Sequence, residues 1–381
     1  MHKPNYKDGS LVNLMSSITS SFGHKPLYKP LKALPPKELS AKNIVLFVID
    51  GLGFEYLKKY GNGSIFEKNL KAKITSVFPS TTAACVTTFA TGVAPQQHAI
   101  TGWYVHLKEL GIVSAILPFI PRAGGLNFQR LGVKHSEIFD QKKIYEQIDD
   151  YFIEVMPKHI VGKGFRKGTR VALGYNNLNN YFAQTKKAIA INNRRKFIYS
   201  YWGLFDSICH ENGPNSKKAF MHFKAIERKM KSFLKSIERT NTTVIITADH
   251  GFMETIRKNI VFLSKHPKLQ ECMTLPLCGE PRAAYCYVRP SKDKQFRGYV
   301  KKHLSKYCWL FKSEDLIKRG FFGMYKPNPK LKDRIGDYVL IMKEGHIIKD
   351  SLMGRKESYH IGNHGGVSKE EMFVPLIVVK A

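Results

Sequence analysis

An α/β fold built on a mostly parallel central sheet follows from two observations in the sequence. Short, unbroken β-rich runs recur along the chain, each bounded by turn residues, which is the pattern of strands buried on both faces. Amphipathic helical patterns lie between them, and strands alternating with helices make a layered α/β domain. A third observation adds a second unit. The region from about Leu263 to Lys356 holds several short β-like pieces with high Pro, Gly and Lys content, and reads as a smaller inserted β-rich subdomain.

Taken in order, residues 1–42 contain Lys25-Pro26, Lys29-Pro30 and Pro35-Pro36 and read as an irregular arm. Asn43 to Ile49 is the first buried strand, ending in Asp50-Gly51. Phe78 to Gly92 opens with Pro and hydroxyl residues, continues with small helix formers and closes on glycine, so it predicts a helix of two to three turns. Trp103 to Arg195 has weaker patterns and could supply a lid. Lys196 to Tyr201, Thr242 to Thr247 and Phe373 to Val379 are further strands, with Pro375 favouring an edge or an early position in the last. Between two of them, Phe223, Ile226, Met230, Phe233 and Ile237 recur every three or four residues over Lys217 to Arg239. That is a helix packed on a sheet, with its lysines outward. Inside the insert, Ala283 to Val288 and Tyr338 to Met342 read as strands. The division is an arm over 1–42, a catalytic α/β domain over 43–262 plus 357–381, and an insert over 263–356.

Composition bounds the function. With 381 residues and 43% apolar content the chain can bury a sizeable core. Lys and Arg number 61 against 30 Asp and Glu, a formal charge of +31. This excludes an acidic cation buffer and points to anionic partners. The start has no continuous apolar stretch of the signal-peptide kind, and no run approaches the ~18 residues of a membrane span. The six cysteines show no CxxC pair and read as reduced, buried thiols, so the expected compartment is the cytoplasm, with no membrane partner.

Ligands of open α/β sheets bind beyond the carboxyl ends of the strands, and here those ends carry chemistry. The first strand delivers Asp50, the strand at Thr242 delivers Asp249-His250-Gly251, and the strand at Lys196 is followed by Asp206 and His210. Gly362-Asn-His364-Gly-Gly precedes the final strand. Singly, each reads as a cap or a polar turn. Together, three Asp and three His make the nitrogen and oxygen ligand set of zinc, manganese or iron. The helix after Phe78-Pro79 adds a hydroxyl at an N-terminus, where free N–H groups favour phosphate. A hydroxyl beside divalent metals is an activated nucleophile. Composition does not choose among Ser80, Thr81 and Thr82.

This order of motifs resembles the alkaline phosphatase superfamily: Asp50, the Phe-Pro-Ser-Thr-Thr helix, Asp206-x-x-x-His210, Asp249-His250 and His364-Gly-Gly. Within it the chain looks most like the nucleotide pyrophosphatase/phosphodiesterase (type I phosphodiesterase) branch, which Gly213-Pro214 after His210 also matches. The resemblance spans Asn43 to the C-terminus, loosely in the middle and in the insert. It implies a three-layer alkaline-phosphatase-like sandwich and a metal-dependent phosphodiesterase or nucleotide pyrophosphatase. It makes Thr82 the nucleophile, three residues after the Pro and ten before the closing Gly. It also implies two divalent ions, zinc first and manganese or iron as alternatives. One would be held by Asp50, Thr82, Asp249 and His250, the other by Asp206, His210 and His364. Cys85 stands where the better-known extracellular members carry Asn, which would put a weak thiol donor near the phosphoryl group. Trp103 and Tyr104, and Phe119 beyond them, are candidates to stack on a base.

The implied substrate is a small anionic phosphodiester or nucleotide. A phosphomonoesterase, phosphonate hydrolase or phosphomutase would use the same metals, but a monoesterase needs an extra cation, for which Arg282 in Gly279-Glu-Pro-Arg282 is the candidate. No sulfatase Cys/Ser-x-Pro-x-Arg motif is present. The basic runs Lys158 to Arg170, Lys186 to Lys196 and Lys292 to Lys306 motivate a different alternative, a non-catalytic nucleic-acid-binding protein, without a recognisable module.

Overall fold

The computed structural model describes residues 1–148, 151–162, 171–352 and 359–381. In chain order its main elements are α1 (Leu11–Ser21), β1 (Asn43–Ile49), β2 (Leu70–Thr75), α2 (Thr82–Thr91), β3 (Tyr104–Leu107), β4 (Ile112–Ala115) and β5 (Ile120–Pro121). There follow β6 (Tyr151–Pro157), β7 (Val171–Tyr175), α3 (Leu178–Ala190), β8 (Lys196–Trp202), α4 (Leu204–Asn212), α5 (Lys217–Ser236) and β9 (Thr242–Thr247). The remainder gives β10 (Cys278–Glu280), β11 (Ala283–Cys286), β12 (Cys308–Lys312), β13 (Tyr338–Met342) and β14 (Phe373–Lys380).

The central sheet runs β2-β14-β9-β1-β8-β6-β7. β9, β1, β8, β6 and β7 are parallel, and β14 inserts antiparallel between β2 and β9. Pro375 is the third residue of β14, before its pairing with β9 begins at Ile377. Every residue of β1, β8 and β9 is buried, as unbroken apolar runs require. Both faces are covered. Phe47 of β1 meets Tyr181 and Phe182 of α3 and Phe233 of α5, and Ser200 of β8 bonds Thr185 of α3. On the other face Tyr199 of β8 meets Phe89 of α2, which packs against α1. The result is a three-layer sandwich. The α5 stripe predicted from spacing is the buried one, with Phe223, Ile226, Met230, Phe233 and Ile237 all inside.

The second sheet is antiparallel, in the order β12-β13-β11-β10-β3-β4-β5. Alternate residues of β13 enter different cores: Val339 and Ile341 one, Tyr338, Leu340 and Met342 the other.

Three expectations need correction. The first 42 residues are not an irregular arm, since α1 lies among them and is almost wholly buried. Its Asn13, Ser16 and Thr19 are inside too, with Ser16 and Thr19 hydroxyls donating to carbonyls one turn back, so it has no polar stripe to reveal it. Nor do the described residues of Trp103 to Arg195 form only a lid. Its first part supplies β3–β5 to the second sheet, and its later part supplies β6, β7 and α3 to the sandwich. The antiparallel sheet is therefore not confined to 263–356; the junction at 356–357 lies outside the described residues.

Candidate functional site

The parallel register brings the site together. Ile49 of β1 pairs with Trp202 of β8 and Val48 with Thr247 of β9, so the three strands end side by side. Asp50 follows the first, Asp249 the third, and α4 starts just after the second. Gly51 turns the chain at φ +79, a conformation that favours glycine, and its N–H donates to Asp249 Oδ1 at 3.0 Å. The N–H of His250 donates to the same oxygen at 2.9 Å. These bonds fix the carboxylate and leave Asp249 Oδ2 without a partner.

Helix α2 decides among the three hydroxyls. Ser80 Oγ donates to the Gly366 carbonyl at 2.9 Å, and Thr81 Oγ1 to Glu280 Oε1 at 2.6 Å. Thr82, the first residue of α2, turns its Oγ1 to within 3.1 Å of His250 Nε2. That nitrogen is also 3.3 Å from Asp50 Oδ1 and 3.4 Å from Asp249 Oδ2. The helix ends where Gly92 adopts φ 75, as its sequence predicts.

On α4, Asp206 and His210 share a face, with His210 Nε2 3.4 Å from Asp206 Oδ1. His364 Nε2 lies 3.1 Å from His210 Nε2 and 3.8 Å from Asp206 Oδ1, and its ring stacks on that of His250 at 3.7 Å. His210 Nδ1 lies 2.8 Å from the Gly362 carbonyl and His250 Nδ1 3.1 Å from that of Gly251. A carbonyl only accepts, so both Nδ1 atoms carry the proton and both Nε2 lone pairs face the centre.

The electrostatics favour bound cations. Burial, then the charge of Asp249, raises the pKa of Asp50 and of Asp206 well above the carboxylate range. Burial lowers His210 to about 3, and lowers His250 and His364 as well. Asp50 Oδ1, Asp206 Oδ1 and Asp249 Oδ2 are buried with no hydrogen-bond partner. Three inward carboxylate oxygens among neutral imidazoles fit divalent cations, since buried charges are paired or coordinate metals. Asp50, Asp249 and His250 form one group able to hold an ion, and Asp206, His250 and His364 a second. His210 Nε2 adjoins the second group, and His250 belongs to both.

A cavity of about 1300 Å³ opens over this centre, between the two sheets. Trp103, 37% exposed, and Tyr104 line it, and the Arg122 guanidinium lies 4.2 Å over the Tyr104 ring. Three candidates do not line it. Cys85 is fully buried, its Sγ 3.2 Å from the Asp249 carbonyl and from Ser76 Oγ, so the expected thiol donor to substrate is corrected to a packing role behind the site. Phe119 is a core residue stacked on His135 at 4.0 Å. Arg282 is also inside the protein, paired with Glu371.

A model of the type I phosphodiesterase/nucleotide pyrophosphatase family matches residues 44–114 and 129–367. The chain belongs to this family. Through it the protein falls among the phosphoric ester hydrolases of the alkaline phosphatase superfamily, whose members depend on metals. Among solved structures, murine ectonucleotide pyrophosphatase/phosphodiesterase 5 is similar at 18% identity and TM-score 0.66, covering 87% of each chain. The human protein of that name gives 17% and 0.65, over 88% of this chain and 87% of that one. Phosphonoacetate hydrolase from Sinorhizobium meliloti, in complex with phosphonoformate, gives 18% and 0.59, over 88% and 89%. At these identities the likeness is one of fold. A comparison with curated protein sequences finds no match.

Several site residues escaped the motif reading of this family member. Tyr201 donates its hydroxyl to Asp50 Oδ2 from the penultimate position of β8. Its place near a strand's carboxyl end was the available signal. Glu280 lines the cavity from β10, and burial raises it to about 7. His360 sits 4.7 Å, ring to ring, from His210. Nothing local in the sequence marks these last two.

Proposed function

We propose that the protein is a two-metal phosphodiesterase or nucleotide pyrophosphatase that works through a covalent phosphothreonine at Thr82. The observation that carries this reading is the sorting of hydroxyls: Ser80 and Thr81 are committed to Gly366 and Glu280, while Thr82 Oγ1 faces the histidine and carboxylate cluster. Two divalent cations, one held by Asp50, Thr82, Asp249 and His250 and one by Asp206, His210 and His364, would acidify the Thr82 hydroxyl and neutralise phosphoryl charge; zinc suits these ligands, with manganese or iron as alternatives.

The chain's own groups do the rest. Thr82 Oγ1 attacks phosphorus, forming the Oγ–P bond as the bond to the leaving oxygen breaks on the opposite side; the hydroxyl proton is released to solvent, and the leaving oxygen takes one up from it. The first turn of α2 directs N–H groups and its positive dipole end toward the oxygens on which charge develops. Tyr201 donates to Asp50 and the backbone N–H groups of Gly51 and His250 to Asp249, which holds both carboxylates in register. Water then attacks the phosphothreonine, forming a new P–O bond as the Oγ–P bond breaks, with one of the water's protons passing to Oγ. A nucleotide substrate is supported by the murine relative, solved as an inactive Thr-to-Ala variant in complex with AMP, and by Trp103 and Tyr104 on the cavity wall.

Phosphonate hydrolysis is the second reading, favoured by the phosphonoacetate hydrolase fold, with the same nucleophile. A monoesterase or phosphomutase loses its sequence-named cation, because Arg282 is engaged away from the cavity; Arg122, paired with Asp350, and Lys158 and Lys349 are the basic residues that line it. The binding-only reading has little to draw on: Lys196, in one basic run, is buried and donates to the Ile189 and Asn192 carbonyls. Another run falls partly at 163–170, outside the described residues. All six cysteines are free buried thiols, in keeping with a reducing compartment such as the cytoplasm. No helix among the described residues is long and apolar enough to cross a membrane.

The test is hydrolysis of bis(p-nitrophenyl) phosphate beside p-nitrophenyl phosphate by metal-loaded protein, with and without chelator. Chelator-sensitive preference for the diester is expected. Preference for the monoester, or no turnover of either with metal bound, overturns the reading.

A further inference from the structure

A hydrolase of phosphomonoesters must answer the second negative charge of its substrate, and Arg282 is the cation the sequence offers. The structure turns it away. Its guanidinium is bidentate to Glu371, at 2.9 and 2.8 Å, and also donates to the Glu344 and His346 carbonyls. The charged residue of the same hairpin that lines the cavity is Glu280, with the opposite sign.

Glu280 is held in place at the nucleophile. Its Oε1 accepts from Thr81 Oγ1 and from the Trp103 backbone N–H, both at 2.6 Å. The first bond ties it to the residue before Thr82, the second to the start of the aromatic wall. Gly365, next to His364, lets it come this close. That glycine has φ +106, and a Cβ there would stand 2.6 Å from Glu280 Cβ. Among the described residues Glu280 enters no ion pair; of the cations that line the same cavity, Arg122 is paired with Asp350, while Lys158 and Lys349 lie on loop and strand ends away from the hairpin's own sequence.

We propose that Glu280 is a specificity-determining residue that admits monoanionic diester phosphoryl groups and disfavours dianionic monoester ones. The inference rests on the phosphodiesterase reading above. A phosphodiester carries one negative charge, whereas a monoester approaches two near neutral pH. A carboxylate in a buried, low-dielectric wall opposes the extra charge more strongly than the same group would in water. Glu280 thus occupies the ground where a monoesterase needs a cation, and its two hydrogen bonds stop it from swinging out when substrate enters.

Glu280→Gln is the test, because Gln keeps the size and an acceptor oxygen for Thr81 and Trp103 while removing the charge. With zinc-loaded protein at pH 9, the ratio of kcat/KM for bis(p-nitrophenyl) phosphate to that for p-nitrophenyl phosphate should fall at least tenfold, through a gain on the monoester. Inorganic phosphate should inhibit the variant at least tenfold more tightly than the wild type. An unchanged ratio with unchanged phosphate inhibition overturns the proposal, as does a parallel loss on both esters, which a purely structural role would give. Glu280→Ala, measured the same way, serves if the Gln variant does not fold. Wild-type protein without chelator-sensitive diester hydrolysis overturns the phosphodiesterase reading and this inference with it. A wild-type diesterase indifferent to Glu280→Gln overturns the inference alone.

Discussion

Arg282 and Glu371 form an ion pair as deeply buried as the carboxylates Asp50 and Asp249, yet the two clusters have opposite electrostatics. In the pair, every charge is answered. Arg282 meets both oxygens of Glu371, and Glu371 also accepts from the Gly366 N–H. Although burial opposes it, these partners hold Glu371 below the usual carboxylate pKa. At the candidate centre Asp50 and Asp206 are pushed the other way, and each has a buried oxygen without a hydrogen-bond partner. Burial alone therefore does not mark a functional site. Burial of same-sign groups that lack partners does, because such groups must either take up protons or meet a cation.

The comparison can be broken at several points. Thr82→Ala should lower turnover by about 10⁴-fold or more while leaving metal content, read by elemental analysis, largely intact; normal activity would remove the nucleophile assignment. On the answered side, Arg282→Ala strands a buried carboxylate and should cost about 3–5 kcal/mol in urea unfolding. A loss below 1 kcal/mol would mean that the pair is not what closes that region. Metal should supply the missing charge at the centre. A divalent ion at a hundred times its Kd stabilises the fold by about 2.7 kcal/mol, seen as a rise in Tm that chelator reverses. Asp50→Asn removes one of the opposed carboxylates, so the metal-free variant should be more stable than metal-free wild type by about 1–2 kcal/mol, with a smaller metal-induced rise. If that variant is less stable without metal, the carboxylates were not repelling.

The most gradual effect, read per pH unit, concerns His98, fully buried beneath α2 between Thr88 Oγ1 and the Ile100 N–H. Burial, aided by Arg334, lowers its pKa to about 3. Above the unfolded value near 6.5 it is neutral in both states and contributes no pH dependence. Below that, the unfolded chain takes up a proton that the folded one refuses. Stability should therefore decline by up to about 1.4 kcal/mol per pH unit on acidification toward 3. His98→Gln should flatten that slope in chemical denaturation between pH 6 and 4.

The parts of the molecule legible in the sequence are those whose local pattern and environment agree. β1, β8 and β9 are buried on both faces, so their apolar runs are unbroken, and the residues after them carry the cluster's chemistry. Helix α2 was legible because Pro, hydroxyls and Gly92 mark both ends. Its nucleophile was not legible by composition, since only the partners of Ser80 and Thr81 separate those hydroxyls from Thr82. Helix α1 was missed because its polar residues are buried with its apolar ones. Glu280 and β3–β5 were missed for another reason: Gly279 pairs with Tyr104 across nearly half of the chain's length, and no short window of sequence contains both.

That single rung between β10 and β3 has a consequence for how such a protein diversifies. The nucleophile and the histidine and aspartate cluster stand on the strand ends and loops of one sheet, while Glu280 and Tyr104 stand on the other. Drift in the hairpin of β10 and β11 can exchange one substrate preference for another without disturbing the strands that aim Thr82. Descent within the fold can thus conserve a reaction while its clientele changes.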